Sequence, residues 1–411
     1  MIVSWLRRGS RPATKMLTGD VAQDSWPRHL LTAMGLSIAA AIALGFSRFA
    51  YSLLLPAMRE TLGLTYVQAG ALNTANATGY IFGSIAAVLS ARRWGVERPF
   101  QVGLIVSTLI LVMTAATSDF ALLFVLRTIG GVSTAFAFIL GAALAGAISP
   151  ASSSQRKGLL VGLYVAGSSF GIVLSGVAVP IALQDGPQGW RTGWAVLGGL
   201  AVVGIVPAML AARFVPVRDR GPAAMLRLDE FLRMLPACLG YGLFGAGYVG
   251  WMTFIIALLR DQGGSGEQTA TFWIVLGVTS TVSTSLWGGV LAQLSGGRGA
   301  ALIFFVTMLG TLPVLIHPGS ASAFLSALIF GSSFMAGPAA VTILAQRLLP
   351  ARSLAAAVAV LTVAFAVGQS IGPILSGMVT DMTGKVAAGL WASPALLGLA
   401  AIVSLLQGKA E

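Results

Sequence analysis

Two arginines, Arg48 and Arg127, lie within long apolar segments of this 411-residue chain and are its foremost candidates for chemistry. Each is roughly eight to ten residues from the nearer end of its segment, about 12–15 Å along a helix, if the segments span a membrane. A charge at such depth costs about 2.5–3.5 kcal/mol or more. Because the apolar segments contain no Asp or Glu, we expect an anionic ligand as the counter-charge, since carboxylate or phosphate suits the planar guanidinium fork. For Arg127, hydrogen bonding to backbone carbonyls or the tuning of a proton site is the alternative interpretation.

Polar and aromatic side chains elsewhere in the apolar segments are further candidates for ligand contact. They are Tyr51, Asn73, Asn76, Tyr241, Tyr248, Trp251 and Gln369. The aromatic residues between 241 and 251 recur at helical spacing and would form one face. That face contacts either an apolar ligand body or lipid and neighbouring helices. The amides are either ligand contacts or interhelical hydrogen bonds.

The composition indicates that these residues are positioned by membrane-spanning helices. Hydrophobic residues make up 56% of the chain and charged residues 9%, whereas a soluble domain is about one-quarter charged. A span needs roughly 20 apolar residues, which predicts twelve spans, or eleven if a short third or ninth segment is discounted. The predicted spans are approximately 30–57, 67–90, 99–117, 120–147, 158–182, 193–212, 234–259, 269–294, 300–316, 321–348, 353–379 and 387–406. The single Cys238 excludes a disulfide framework and a cysteine-based metal site.

The distribution of basic residues predicts the orientation of these spans. With both termini cytoplasmic, the cytoplasmic segments hold 19 Lys and Arg residues and the outer loops hold 4, as the positive-inside rule requires. We therefore expect a multi-pass protein of the inner (plasma) membrane, with a basic cytoplasmic tail over residues 1–29 and a second tail over 408–411. The net charge of +12 is scattered over short clusters between apolar segments, which argues against nucleic-acid binding.

The longest polar segment, 213–233, divides the spans into two predicted six-helix bundles, 30–212 and 234–407. Residues 167–176 and 368–377 match at six of ten positions with an offset of 201. Parallel repeats of this kind are typical of secondary transporters, which bind substrate between their two halves. An offset of 200 aligns Arg48 with Tyr248, so the second half is expected to present an aromatic side chain where the first presents a cation.

Over residues 30–407 the chain resembles the major facilitator superfamily. Its Arg93 and Gly95 are similar to the superfamily's loop signature between spans two and three, whereas Arg92 stands where the family has the Asp of its gating ion pair. The stretch from Gly45 to Tyr51 looks more narrowly like the YbfB/YjiJ-type branch. The resemblance implies an all-α fold of two six-helix bundles, with spans one, four, seven and ten around a central cavity.

Coupling to an ion gradient is less clearly indicated by the sequence. Proton coupling usually relies on a carboxylate or histidine within the membrane, and none is predicted at mid-depth. Asp119 is either part of a proton relay to Arg127 or a solvated loop end. Gly372 and Pro373 are candidate gating positions, since proline removes a helix hydrogen bond. The missing acid favours anion exchange or uniport.

These patterns together predict a secondary active transporter that moves a small organic solute, anionic or amphipathic, by alternating access. We expect it to act as a monomer in the lipid bilayer, with a coupling proton or a counter-anion as its possible second solute. The alternatives are a broad-specificity drug or metabolite efflux transporter and a transporter-derived receptor. An enzyme is not expected, because the spans contain no nucleophile–base pair or metal-ligand cluster. No cofactor is expected.

Overall fold

The regular structure of the described residues is entirely helical. The computed structural model describes residues 26–148, 154–215, 226–350 and 352–408. Predictions for most of the basic tail, much of the linker and the last three residues therefore fall outside the described residues. A short linker helix covers Leu228–Arg233. The long helices are α1 Trp26–Leu62, α2 Tyr66–Trp94, α3 Glu97–Ala116, α4 Phe120–Ala145, α5 Ser154–Ala182, α6 Gly189–Arg213, α7 Leu235–Asp261, α8 Gly266–Gln293, α9 Arg298–Ile316, α10 Ser320–Leu348, α11 Leu354–Thr383 and α12 Val386–Leu405.

Ten of the described helices are long and apolar enough to cross a membrane. Two parts of α8, Gly266–Ser283 and Ser285–Gln293, meet at 45° and count as an eleventh when taken as one span. Helix α2 is 29 residues long but less apolar, because it carries several amide and hydroxyl side chains. The prediction of an all-α polytopic membrane protein is confirmed at this level.

The helices extend beyond the predicted apolar segments where polar residues cap them. Helix α1 runs to Leu62 instead of residue 57, and Gly63 ends it in a left-handed conformation with φ of 64°. Helix α2 begins after Thr65, whose hydroxyl accepts from the Gln68 backbone N–H, while the Gln68 side chain accepts from the Thr65 backbone. This capping box satisfies backbone donors that the first helical turn leaves free. Hydropathy alone therefore underestimates the length of these helices.

Close contacts between small residues recur in the N-terminal half (α1–α6) and the C-terminal half (α7–α12). In the N-terminal half Gly45 of α1 packs on Gly171 of α5, and a Cβ on Gly171 would lie 2.7 Å from a carbonyl oxygen of α1. The equivalent contact in the C-terminal half joins Ala246 of α7 and Gly372 of α11. Gly171 meets the Ala41 carbonyl and Gly372 meets the Ala246 carbonyl, so α11 is shifted from α5 by the predicted 201 residues. Helix α7 is shifted from α1 by 205 residues, and not by the 200 that would align Arg48 with Tyr248. The packing interpretation of these glycines therefore agrees with the structure.

The two halves meet near one face of the molecule. Thr74 of α2 donates to the Ser370 carbonyl of α11 (2.6 Å), and Trp273 of α8 donates to the Ser175 hydroxyl of α5 (3.1 Å). These contacts lie toward the face that holds the turn at Gly63, which we name the turn face. The face that holds both ends of the described chain is named the terminal face.

The linker helix is fastened to the start of α11 by Glu230. Its carboxylate accepts hydrogen bonds from the Arg227 backbone N–H (3.0 Å) and the Ser353 hydroxyl (2.9 Å), and it lies 4.0 Å from the Arg352 guanidinium. The Arg227 hydrogen bond is the largest cause that holds the pKa of Glu230 below its ordinary value, and Ser353 and Arg352 act in the same direction. The linker is therefore attached to the C-terminal half.

Candidate substrate site

Arg48 lies midway along α1, at the contact between the two halves. It belongs to the π-helical segment Ala41–Phe49, a rare geometry that is frequent at functional sites. Its guanidinium donates to Oε1 of Gln369 in α11 and lies 5.7 Å from the centre of the Tyr80 ring. Only 9% of the residue is exposed. Among the described residues no carboxylate forms an ion pair with this buried charge.

Near-parallel aromatic rings in the C-terminal half adjoin Arg48, and we name them the aromatic wall. The wall consists of Tyr241, Phe244, Tyr248, Phe304, Phe330, Phe334 and Phe365. The ring centres of Phe244 and Phe304 are 4.4 Å apart at 19°, and those of Tyr248 and Phe334 are 5.3 Å apart at 23°. Phe49, next to Arg48 in α1, packs edge-on against Phe334, 6.3 Å between ring centres. The predicted aromatic face of α7 therefore packs inward, beside the guanidinium, and not against lipid.

The polar groups around Arg48 are hydrogen-bond donors that lack partners among the described residues. The residues Tyr80, Tyr241 and Tyr248 are 9%, 5% and 6% exposed, and their hydroxyls bond to none of the described groups. The Nε2 amide nitrogen of Gln369 is buried and also without a partner. A buried donor without an acceptor costs about 1–3 kcal/mol. The arrangement therefore suits a solute that brings several acceptor atoms.

Arg127 lies in a different environment, inside the N-terminal half. Its Nη1 donates to the Ser47 carbonyl of α1 (2.6 Å) and its Nε donates to the Leu72 carbonyl of α2 (3.3 Å). The guanidinium stacks 4.5 Å from the centre of the Tyr51 ring and 6.0 Å from that of Trp194. It is 4% exposed, and only its Nη2 remains without a partner. The geometry thus favours the backbone-bonding alternative, in which Arg127 joins α4 to α1 and α2.

The other predicted contact residues divide between the two halves. Asn76 donates to the Arg127 carbonyl (3.2 Å) and stays within the N-terminal half. Asn73 instead donates to the Thr253 hydroxyl of α7 (2.6 Å) and so bridges the halves. Trp251 is fully buried beside Phe330, 6.3 Å between ring centres. The Tyr51 hydroxyl donates to a carbonyl of α2. The structure thus brings Gln369, Tyr241 and Tyr248, but not every predicted residue, to Arg48.

The predicted gating and coupling residues lie away from Arg48. Asp119 is the N-cap of α4, where its carboxylate accepts from the Leu122 backbone N–H (2.7 Å), as expected for a solvated loop end. Arg92 and Arg93 are exposed at the end of α2 at the terminal face, where Gly95 has a φ of 75°. Helix α11 continues through Pro373 to Thr383, and the neighbouring Gly372 packs closely on α7.

A carboxylate that the sequence interpretation left aside connects the halves at the turn face. The two oxygens of Asp381, near the end of α11, accept from the Tyr66 and Val67 backbone N–H groups at the start of α2 (2.9 and 2.8 Å). Arg59 lies 4.3 Å over the Tyr66 ring, and the same ring packs edge-on against Phe254 of α7. We name the contact between Asp381 and the first turn of α2 the turn-face latch. An anion is stabilised at a helix N-terminus by the helix dipole.

Tyr80 and Asp381 are site residues that the sequence pattern also indicates. Tyr80 follows Asn73 and Asn76 at the spacing of one helical face, so its position beside Arg48 was accessible to pattern analysis. Asp381 stands near the C-terminal end of its own helix, where an acid is unfavourable. Such a placement indicates a partner elsewhere in the fold.

Comparisons with known proteins identify the relatives of this chain. Residues 40–405 match the family model described as "uncharacterised MFS-type transporter YbfB". The chain is 27% identical to a chloramphenicol resistance protein of Streptomyces lividans, over 89% of this chain and 93% of that protein. It is 28% identical to a probable 4-methylmuconolactone transporter of Cupriavidus pinatubonensis, over 39% and 36% of the two chains. A bacterial homologue of the human lysosomal transporter Spinster, solved in an inward-facing and unoccupied conformation, shares the fold with a TM-score of 0.71, at 15% identity over 93% and 96% of the chains.

Proposed function

This chain belongs to the YbfB family of transporters in the major facilitator superfamily, and on that premise we propose that it moves a small organic anion across the inner membrane by alternating access. The family membership makes it a membrane transporter and not an enzyme. Beyond the family membership, we propose that the chain has twelve transmembrane helices in two bundles, that both termini are cytoplasmic and that the solute is an anion. The uneven distribution of basic residues supports this topology.

The observation that carries the proposal is the environment of Arg48. A guanidinium that is 9% exposed and has no acidic partner among the described residues is costly in a membrane protein. The groups beside it are donors, and its protein partner is the neutral Gln369 amide oxygen. A carboxylate can replace that oxygen and add the attraction of opposite charges and two parallel hydrogen bonds to the guanidinium. An anionic solute therefore satisfies this site better than a neutral or cationic one.

The position of Gln369 links binding to movement of the halves. Arg48 belongs to the N-terminal half and Gln369 to the C-terminal half, and their hydrogen bond joins the two. A solute that takes over the Arg48 guanidinium releases this bond. Transport by alternating access requires that bound and free protein differ in the contacts between halves. We propose that exchange of Gln369 for the solute provides this difference.

The contacts between halves also support a direction of opening. They lie toward the turn face, which the predicted orientation makes the outer one, and they include the turn-face latch. We propose that this conformation is closed to the outside and accessible from the cytoplasm. The structural relative is itself described as inward-facing, which is consistent with this proposal.

Efflux of aromatic drugs is the second candidate function. The aromatic wall provides a large apolar surface beside Arg48, and the relative in Streptomyces lividans confers chloramphenicol resistance by its description. In this case the aromatic wall, and not Arg48, would dominate binding. A receptor that binds solute without moving it is separated from both transporters by a measurement of flux.

The test combines ligand stabilisation with transport. Purified protein is screened by thermal shift against anionic, neutral and cationic metabolites, and the best ligand is followed into proteoliposomes. The Arg48→Gln variant is expected to lose both stabilisation and uptake. The Arg298→Gln control removes an equal charge from an exposed position at the terminal face and should retain both. If Arg48→Gln is stabilised as strongly as the unmodified protein, Arg48 is not the anion site.

A further inference from the structure

The aromatic wall has a more regular geometry than a hydrophobic core requires. Its four closest ring pairs, with centres 4.4–5.4 Å apart, are inclined to each other by 19–27°, although edge-to-face contacts are equally favourable for aromatic side chains. Tyr248 alone packs near-parallel with Phe244 and Phe334, 5.7 and 5.3 Å between ring centres. Near-parallel rings from α7, α9, α10 and α11 thus present flat faces in a common orientation.

The charged end of the site adjoins these flat faces. Tyr241 and Tyr248 belong to the aromatic wall, and Phe49, the neighbour of Arg48 in α1, packs edge-on against the wall residue Phe334, 6.3 Å between ring centres. Tyr80 brings a third ring from α2, with the guanidinium 5.7 Å above its centre. A solute held by Arg48 would therefore lie between the Tyr80 ring of α2 and the aromatic wall.

The available charge limits the head group of that solute. Arg127 donates to two backbone carbonyls inside the N-terminal half, so Arg48 is left as one guanidinium for one anionic group. A single guanidinium matches a singly charged carboxylate bidentately, whereas a phosphate dianion would keep an uncompensated charge. An ammonium group would meet Arg48 without any described carboxylate nearby, which disfavours cations and amino acids.

We infer that the substrate is a planar aromatic or conjugated carboxylate, with its carboxylate on Arg48 in place of the Gln369 amide oxygen and its ring against Tyr248 and the aromatic wall. This inference rests on the proposed function and adds the shape of the solute to its charge. Flat rings gain from stacking on aromatic side chains beyond the area that they bury. A saturated ring of equal charge and similar volume lacks that gain.

The experiment compares matched ligands on the unmodified protein. Binding of benzoate and 1-naphthoate is measured by calorimetry against their saturated counterparts, cyclohexanecarboxylate and decalin-1-carboxylate, and against neutral benzamide. We expect each aromatic carboxylate to bind at least about fivefold more tightly than its saturated counterpart, which is about 1 kcal/mol. Benzamide should bind more weakly than benzoate, because it lacks the charge that Arg48 requires.

Variants test which side chains cause the preference for aromatic over saturated carboxylates. Tyr248→Leu should reduce the aromatic-to-saturated ratio toward one while it retains binding of cyclohexanecarboxylate. Phe305→Leu is the control, because Phe305 is next to the wall residue Phe304 in sequence but 46% exposed. Its ratio should remain that of the unmodified protein.

The outcomes separate this inference from the proposed function. Equal binding of aromatic and saturated carboxylates, both lost in Arg48→Gln, overturns the inference and leaves the anion transporter intact. If benzamide binds as well as benzoate, the ligand does not require a carboxylate, and both the inference and the proposed function are contradicted. Failure of every carboxylate to bind the unmodified protein also contradicts both, and an unchanged ratio in Tyr248→Leu shows that the aromatic wall is not the origin of the preference.

Discussion

Asp381→Asn should shift the protein toward a conformation that is open at the turn face. The Asp381 carboxylate accepts from two backbone N–H groups at the start of α2, at 2.9 and 2.8 Å, and these bonds connect the C-terminal half to the N-terminal half. Opening at the turn face must break them. Asparagine retains one acceptor oxygen but loses the charge and presents an amide N–H₂ to the second donor.

The size of the shift follows from the exposure of the latch. Hydrogen bonds to a charged acceptor contribute about 1.5–3 kcal/mol when shielded, but exposed charged contacts retain only about 0.2–1 kcal/mol. The interaction with the helix dipole adds about 0.3–1 kcal/mol. Asp381 is solvent-exposed, so we expect a loss of about 1–2 kcal/mol, which changes the equilibrium between the two conformations by about 5- to 30-fold.

Cysteine labelling measures this equilibrium from outside the membrane. In a Cys238→Ser background, Leu53→Cys places a thiol in a cavity of about 650 Å³ between the halves at the turn face. The rate of reaction with a membrane-impermeant maleimide follows the population that is open at this face. Where the open population is minor, Asp381→Asn should raise the labelling rate by the same factor, about 5- to 30-fold.

Asp185→Asn serves as the control, since Asp185 is exposed in the segment that follows α5 at the same face. It removes the same charge without a described contact to the C-terminal half. Should Asp381→Asn be labelled no faster than Asp185→Asn, the two hydrogen bonds do not stabilise the closed turn face, and the latch has no role in gating.

Three further predictions concern stability and the linker. Arg127→Lys should lower the free energy of unfolding by about 1–3 kcal/mol, because a single lysine nitrogen replaces the two guanidinium nitrogens that bond to carbonyls. The midpoint of thermal unfolding should fall accordingly, and an unchanged midpoint would contradict a structural role for Arg127. Gly372→Val should reduce the yield of folded protein in size-exclusion chromatography, whereas Gly288→Val should not, since a Cβ at Gly288 meets nothing within 4 Å. Because the pKa of Glu230 is lowered in the folded state, its stabilising effect is present at neutral pH and is lost as the pH falls through that lowered value. The protection of the linker-helix amides against hydrogen exchange, relative to the intrinsic rate at each pH, should therefore fall on acidification below about pH 4. Glu230→Gln should remove this dependence, and identical pH profiles of protection would refute it.

The two buried arginines show that a sequence predicts burial but not the partners of a buried side chain. Both arginines lie in apolar segments without Asp or Glu, which predicts that they are buried. In the structure Arg48 is 9% exposed and Arg127 is 4% exposed. Their different environments could not be inferred, because they depend on which way each helix is rotated. The same limit applies to Asn73 and Asn76, which share a face of α2 yet bond to different halves.

The sequence by itself determined that the chain is an all-helical membrane protein of the YbfB family with an internal repeat. Hydropathy, charge distribution and a constant offset are local or periodic properties, and a linear pattern records them. Only the tertiary structure decided that Arg48 meets Gln369, 321 residues away, that aromatic side chains from four helices pack together, and that Asp381 bonds to the start of α2. These contacts depend on helix rotation and on the docking of two halves, and packing between distant segments sets both.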